Sequence, residues 1–229
     1  MRKNFSMSAA KRLWNIIKGI ARIAVRIVIE IIHRSVINLF DSLFGFLNWP
    51  KKKIRIKIFI LRDQQGDQSF PEKDLDVSID HARKVFEKNF NVEVMAHHKN
   101  VFVEVLPNTS AVEALYVRGG RGALSDEFKI AGSFFASNLS GVFFPVTVFV
   151  VKNIKGASGC SLGPISDYVT LDTVGAKQTS VLAHELAHAC GLWHISERSN
   201  LLYPYTDRDD EIRWWQKNIF RGSRHVTYW

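Results

Sequence analysis

The sequence is poor in cysteine, and beyond its first quarter it has no excess charge of either sign. Only Cys160 and Cys190 occur in 229 residues, which excludes a disulfide-stapled scaffold but leaves one bridge and two free thiols both open. Residues 1–53 contain 11 basic and two acidic residues, so they carry the whole net charge of +9. Because the remaining residues are electrically balanced, we expect no nucleic-acid partner.

No uninterrupted apolar run is long enough to span a bilayer. Residues 11–47 are mostly apolar, yet a polar residue or glycine recurs every three or four positions: Lys11, Asn15, Lys18, Arg22, Arg26, Glu30, Arg34, Asn38, Asp41 and Gly45. This spacing predicts a basic amphipathic helix or helical hairpin with one narrow polar stripe. A charge in every turn from Lys18 to Arg34 disfavours both a membrane span and a cleaved signal peptide. We therefore expect a cytoplasmic or peripheral membrane location.

Two kinds of partner fit the N-terminal segment, defined here as residues 1–50. A wide apolar face combined with basic charge is typical of helices that lie on an anionic membrane surface. The alternative is packing against the rest of the chain or against a protein partner. Residues 48–53 contain a proline followed by three lysines and predict a linker, and therefore a second domain over residues 51–229.

Residues 51–229 alternate between strand and helix patterns. Strands are predicted at 53–61, 92–95, 101–106, 144–152 and 168–172, and helices at 78–90, 125–137 and 178–190. Ser78 is a candidate N-cap, and Gly191 is a candidate helix stop. A last helix is predicted to open at Thr206, with Trp214, Trp215 and Ile219 in the core. This order of elements predicts an α/β fold.

The stretch from His184 to His194 reads His-Glu-Leu-Ala-His-Ala-Cys-Gly-Leu-Trp-His. His184 and His188 are four residues apart, so on a helix both imidazoles project from one face and can bind one tetrahedral Zn²⁺. Gly191 can adopt the positive φ that ends the helix and reverses the chain, which lets His194 become a third ligand. Three protein ligands leave a fourth position open, as is typical of catalytic zinc.

Glu185 directly follows the first histidine and is the predicted general base. Zinc lowers the pKa of a water molecule, and a carboxylate at this position can take the proton as that water attacks a polarised carbonyl. The pattern therefore indicates metal-assisted hydrolysis.

The complete pattern HExxHxxGxxH resembles that of the metzincins, a clan of zinc metallopeptidases. The resemblance covers roughly residues 53–229 and implies an upper subdomain of twisted mixed sheet with two helices, followed by a small lower subdomain. It also implies that strand 144–152 or a neighbouring loop edges the cleft, where an extended peptide adds a strand. Leu202 stands where the family has a methionine, in a turn beneath the metal, and the two side chains are near-isosteric. Tyr203 and Tyr205 beside this turn are candidate substrate contacts.

These features predict a zinc-dependent endopeptidase that acts on proteins or peptides. The alternative is a membrane-active or partner-binding protein whose zinc domain is latent or auxiliary. Two latency devices also stay open: a Cys160 thiolate on the zinc, and an N-terminal segment that covers the cleft. His97 and His98 are expected to be solvated rather than ligands.

Overall fold

The computed structural model describes residues 35–60, 70–97, 115–116, 146–161, 163–165 and 168–228. The strand predicted at 101–106, the helix predicted at 125–137, His98 and the first 34 residues of the N-terminal segment lie outside them. The described residues form a mixed α/β fold, which confirms the predicted fold class.

The described strands form one main sheet and one small ladder. They are β1 (Lys52–Ile60), β2 (Val92–His97), β3 (Leu115–Tyr116), β4 (Val146–Val150), β5 (Ile154–Lys155), β6 (Gly159–Ser161), β7 (Tyr168–Leu171) and β8 (Val226–Thr227). The main sheet has the order β2-β1-β4-β7-β6, and its first four strands are parallel while β6 is antiparallel. β8 pairs antiparallel with the start of β1, and β3 pairs with β5.

The alternation of β1 explains its central place in the sheet. Ile54, Ile56, Ile58 and Ile60 fall on one side of the strand and are all buried. Strand β4 also lies inside the sheet, so the expectation that residues 144–152 themselves edge the cleft is wrong. Among the described strands, β2 and β6 lie at the two ends of the main sheet, and β6 belongs to the loop that follows β4.

Five α-helices are described: α1 at residues 35–44, α2 (Asp76–Phe90), α3 (Thr173–Lys177), α4 (Thr179–Ala189) and α5 (Trp214–Arg221). Helices α2 and α4 pack against each other and share the main hydrophobic core with the sheet. The prediction that Ser78 caps α2 is wrong, because this buried serine lies inside the helix and donates to the Ala176 carbonyl at 2.6 Å. None of the described helices is long and apolar enough to cross a membrane.

The last helix begins later than the sequence predicts. The threonine and acidic residues from Thr206 onward form an irregular loop, since the backbone amides of Asp209 and Glu211 donate to the carbonyls of Arg198 and Ser199 instead of forming helix. The predicted core role of three hydrophobic residues in α5 is also wrong. Trp214 is 66% exposed, Ile219 is 37% exposed and Trp215 is half-buried. The helix buries Gln216, Asn218, Phe220 and Arg221 instead.

Residues 48–53, which the sequence predicts as a linker, are held against the α/β fold by hydrogen bonds and by the start of β1. Asn48 donates to the Asn89 carbonyl at 3.0 Å and accepts from Asn91 through its own carbonyl at 2.8 Å. Lys52 is the first residue of β1 and has no exposed surface. The N-terminal segment is therefore continuous with the sheet from residue 48 onward.

Candidate metal centre

Helix α4 and the turn after it bring three histidine side chains to one point. His184 and His188 lie one turn apart on α4, as their spacing predicts. Gly191 has a φ of 94°, which reverses the chain, and its amide donates to the His188 carbonyl at 2.8 Å. The Nε2 atom of His194 then lies 3.2 Å from that of His184 and 3.0 Å from that of His188.

Backbone carbonyls orient two of these rings. Nδ1 of His184 lies 2.7 Å from the Leu201 oxygen, and Nδ1 of His188 lies 2.7 Å from the Leu192 oxygen. A carbonyl oxygen only accepts, so both Nδ1 atoms carry hydrogen and both Nε2 lone pairs face the centre of the cluster.

Both rings are also held in the neutral form that a metal requires. Burial, with a smaller contribution from the charges of His188 and Arg208, lowers the pKa of His184 to about 2. Burial likewise lowers the pKa of His188 to about 4. Neutral imidazoles keep their Nε2 lone pairs free for coordination at any pH near neutrality.

The donor set fits zinc. Zn–N bonds of about 2.0–2.1 Å in tetrahedral geometry place two nitrogen ligands about 3.3 Å apart, and the three Nε2 atoms lie 3.0–3.2 Å from one another. Three lone pairs that converge at this distance repel unless a cation lies among them. His184 is buried, His188 is half-buried and His194 is exposed, so the cluster opens toward solvent on one side.

Glu185 packs between α4 and the edge strand β6. Its side chain is buried, at 6% exposure. A Cβ atom added to Gly159 would lie 2.7 Å from the Glu185 Oε1 atom and 2.8 Å from a methyl carbon of Val181. Only glycine at position 159 leaves room for the carboxylate here. The sequence analysis did not single out Gly159, because the closeness of this glycine to Glu185 follows from how β6 packs against α4.

Arg208 lies behind the first histidine and was also missed. Its Nη1 atom donates to the Tyr203 carbonyl at 2.8 Å and lies 2.7 Å from Nδ1 of His184. Burial lowers the pKa of Arg208, and the Glu185 carboxylate partly offsets this effect.

The turn around Leu202 lies next to the first histidine, because the preceding Leu201 carbonyl contacts the His184 ring at 2.7 Å. Leu202 is fully buried, and its amide donates to the Asn200 side chain at 2.9 Å. Its carbonyl accepts from Ile195, the residue after the third histidine, at 3.2 Å. Of the two candidate tyrosines, Tyr203 is half-buried and Tyr205 is 66% exposed, with their rings 5.4 Å apart.

The cysteines stand apart from the cluster. No disulfide joins Cys160 and Cys190, so the bridge that the sequence left open does not form. Burial raises the pKa of Cys190 to about 12. Within the described residues, the group able to hold a metal consists of the three histidines and does not include Cys160.

The fold and the three-histidine cluster are together those of a metzincin-type zinc metallopeptidase. Residues 45–218 match the family model described as Matrixin. This match covers well over half of the chain, and the chain belongs to that family.

One similar solved structure is the crystal structure of metalloproteinase-II from Bacteroides fragilis. It has a TM-score of 0.46 and 13% sequence identity, over 68% of this chain and 48% of that chain. This chain therefore spans about half the length of that structure. A search of curated protein sequences gives no significant match.

Proposed function

We propose that the chain is an endopeptidase in which His184, His188 and His194 bind the zinc ion and Glu185 is the general base. The observation that carries this proposal is the convergence of three Nε2 atoms within 3.2 Å of one another. A carboxylate on the same helix is buried one residue away from the first histidine. This combination of ligands and base suits hydrolysis rather than a purely structural zinc site.

Each protein group has a separate task in this scheme. When bound, zinc supplies Lewis acidity, which lowers the pKa of water and polarises the scissile carbonyl. Glu185 accepts the proton that the attacking water loses and delivers it to the leaving amine. Gly159 leaves open the space that this carboxylate occupies, since a Cβ atom there would lie 2.7 Å from Oε1.

The edge of β6 is the proposed substrate site. This strand lies at the end of the described main sheet, and Gly159 at its start touches Glu185. An extended peptide that pairs with β6 would pass beside the general base. Such a peptide continues in both directions from the scissile bond, which favours cleavage of internal bonds in a protein or peptide. Tyr203 and Tyr205 remain proposed contacts for a substrate side chain.

The N-terminal segment has a separate proposed role. We propose that residues 11–47 dock the enzyme on an anionic membrane or on a protein partner, while residues 51–229 carry the peptidase. The exposed hydrophobic side chains of residues 36–49 support this assignment.

The test is cleavage of a mixed peptide library by the zinc-loaded enzyme and by its Glu185→Gln variant. We expect new peptide termini with the wild-type enzyme and none above background with the variant, while both proteins keep equal zinc content. Glu87→Gln, which changes an exposed glutamate of α2, is the matched control and should cleave normally. Cleavage that persists in Glu185→Gln would contradict the assigned general base.

A further inference from the structure

Helix α1 turns its polar side toward the protein and its apolar side toward solvent. Leu39 is 65% exposed and Leu43 is 59% exposed, whereas Asp41 between them is 1% exposed. An amphipathic helix on the surface of a soluble protein normally has the opposite orientation. This reversed orientation of α1 requires an interaction that holds its polar side against the protein and a partner that covers its apolar side.

Buried charge is the cause on the inner side. The Asp41 carboxylate accepts from Lys52 at 2.6 Å and from the Tyr228 hydroxyl at 3.1 Å, and it lies 3.7 Å from the Arg221 guanidinium. Lys52 and Arg221 have no exposed surface, so both depend on Asp41 as their counter-charge. This requirement fixes the rotation of α1 about its own axis and turns the apolar residues outward.

The outward side continues beyond α1 as one surface, which we name the apolar face. It consists of Val36, Leu39, Phe40, Leu43, Phe44, Phe46, Leu47, Trp49 and Trp214, each at least 42% exposed. The rings of Phe40 and Phe44 lie 4.9 Å apart, and those of Phe46 and Trp214 lie 6.2 Å apart. Single exposed hydrophobic residues are ordinary, but a contiguous group of this size marks an interaction site.

Charge indicates which partner covers the apolar face. Residues 1–34 directly precede it and contain eight lysines and arginines against one acidic residue, Glu30. Two copies of the chain that met through this face would bring together two segments of the same strong positive charge. An anionic lipid surface instead attracts basic residues next to an apolar anchor. Trp49 and Trp214 belong to the residue type that prefers the membrane–water interface.

We propose that the apolar face inserts into the interfacial layer of an anionic lipid bilayer, with Asp41 fixing the orientation of the catalytic fold above the membrane. This inference rests on the docking role proposed above and names lipid as the partner. It does not depend on zinc or on Glu185, because the contact lies outside the metal site.

The experiment measures binding of the full-length protein to lipid vesicles by flotation. One set of vesicles contains phosphatidylglycerol and phosphatidylcholine in equal parts, and the other contains phosphatidylcholine alone. The test variant carries Leu39→Ser and Leu43→Ser on the apolar face. The matched control carries Val77→Ser and Val174→Ser, two comparably exposed hydrophobic residues elsewhere, at 56% and 54%.

We expect the wild type and the control to float with the anionic vesicles and the test variant to bind them at least about tenfold more weakly. All three proteins should float poorly with phosphatidylcholine alone. Equal binding by the test variant and the wild type would overturn the proposal, as would wild-type binding that ignores lipid charge. Self-association that Leu39→Ser and Leu43→Ser abolish, without vesicle binding, would overturn it in favour of a second copy.

Cleavage of a soluble peptide separates this inference from the proposed function. We expect the test variant to cleave such a peptide at the wild-type rate, because both leucines are exposed and lie outside the three-histidine cluster. If the wild-type protein binds vesicles normally but cleaves no peptide, the proposal of lipid docking is supported and the proposal of an endopeptidase is refuted.

Discussion

The buried charges around Asp41 allow a quantitative test of how the N-terminal helix is attached. We predict that Asp41→Asn lowers the free energy of unfolding by about 3–5 kcal/mol, as is usual when one partner of a buried ion pair is removed. The substitution keeps the side-chain shape and one oxygen acceptor. It leaves Lys52 and Arg221, both fully buried, without their anion. Such a loss is a large fraction of the total stability of a domain.

The protonation of Lys52 limits the part of this loss that comes from Lys52. Burial lowers the pKa of Lys52, and the hydrogen bond that Lys52 donates to Asp41 partly offsets this effect. In the variant, the folded protein can release this proton instead of keeping an unpaired charge. At neutral pH this costs about 4.6 kcal/mol for a lysine whose ordinary pKa is about 10.4. The expected range therefore ends near about 5 kcal/mol.

The same equilibrium determines how the loss varies with pH. Without Asp41, the pKa of Lys52 in the folded state lies further below its value in the unfolded state. The unfolded state then binds more protons between these two pKa values, so the stability of the variant rises with pH. The difference in the free energy of unfolding between the wild type and the variant should decrease by up to about 1.4 kcal/mol for each pH unit above neutrality.

Urea unfolding followed by circular dichroism at several pH values measures both effects. The matched control is Glu87→Gln, which removes the partner of the adjacent lysine, Lys51, in an exposed pair at 2.8 Å. Because exposed pairs contribute little, the control should unfold like the wild type. A loss below about 1 kcal/mol for Asp41→Asn, or a loss that does not narrow with rising pH, would refute the reasoning.

Three further predictions concern the metal site. Gly159→Ala would place a Cβ atom 2.7 Å from Oε1 of Glu185. We expect kcat/KM for a peptide to fall about a hundredfold with zinc content unchanged. Normal kinetics would show that Glu185 does not need the space beside Gly159. Leu202→Met should change the free energy of unfolding by less than about 1.5 kcal/mol and preserve cleavage, whereas a marked rise in activity would indicate that leucine weakens the site. A zinc chelator should abolish cleavage and lower the Tm, with both restored by added zinc; a Tm insensitive to the chelator would argue against zinc bound to the folded chain.

The metal site was predictable because its information is local. Two histidines four residues apart face the same side of any helix, and Gly191 supplies the positive φ that brings in the third. These relations depend on the geometry of one short segment. The role of Gly159 was not predictable in this way, because its contact with Glu185 depends on how β6 pairs with β7 and packs on α4.

The orientation of α1 could not be read from the sequence for a related reason. The helical pattern correctly grouped Asn38, Asp41 and Gly45 into one stripe, but polarity alone suggests that such a stripe faces water. In the structure, Asp41 and Gly45 are buried. Asp41 is held there by Lys52, which is 11 positions later in the chain, and by Arg221, which is 180 positions later. The prediction of a helix start at Thr206 failed for a similar reason. The backbone amides of Asp209 and Glu211 donate to carbonyls of residues 198 and 199, and these bonds replace the helical turn.

Helix α5 connects the apolar face with the metal site through buried polar side chains. On one side, Asn218 accepts from the amide of Phe46 at 2.6 Å. On the other, Gln216 accepts from Asn200 at 2.8 Å, and Asn200 shapes the turn whose Leu201 carbonyl orients the first histidine. Because these groups are held by short hydrogen bonds within a packed fold, α1 and the metal site should move as one unit. If α1 lies on lipid as proposed, the scissile bond must reach the zinc at a fixed position relative to the bilayer. The preferred substrates would then be extended polypeptide segments near a membrane surface.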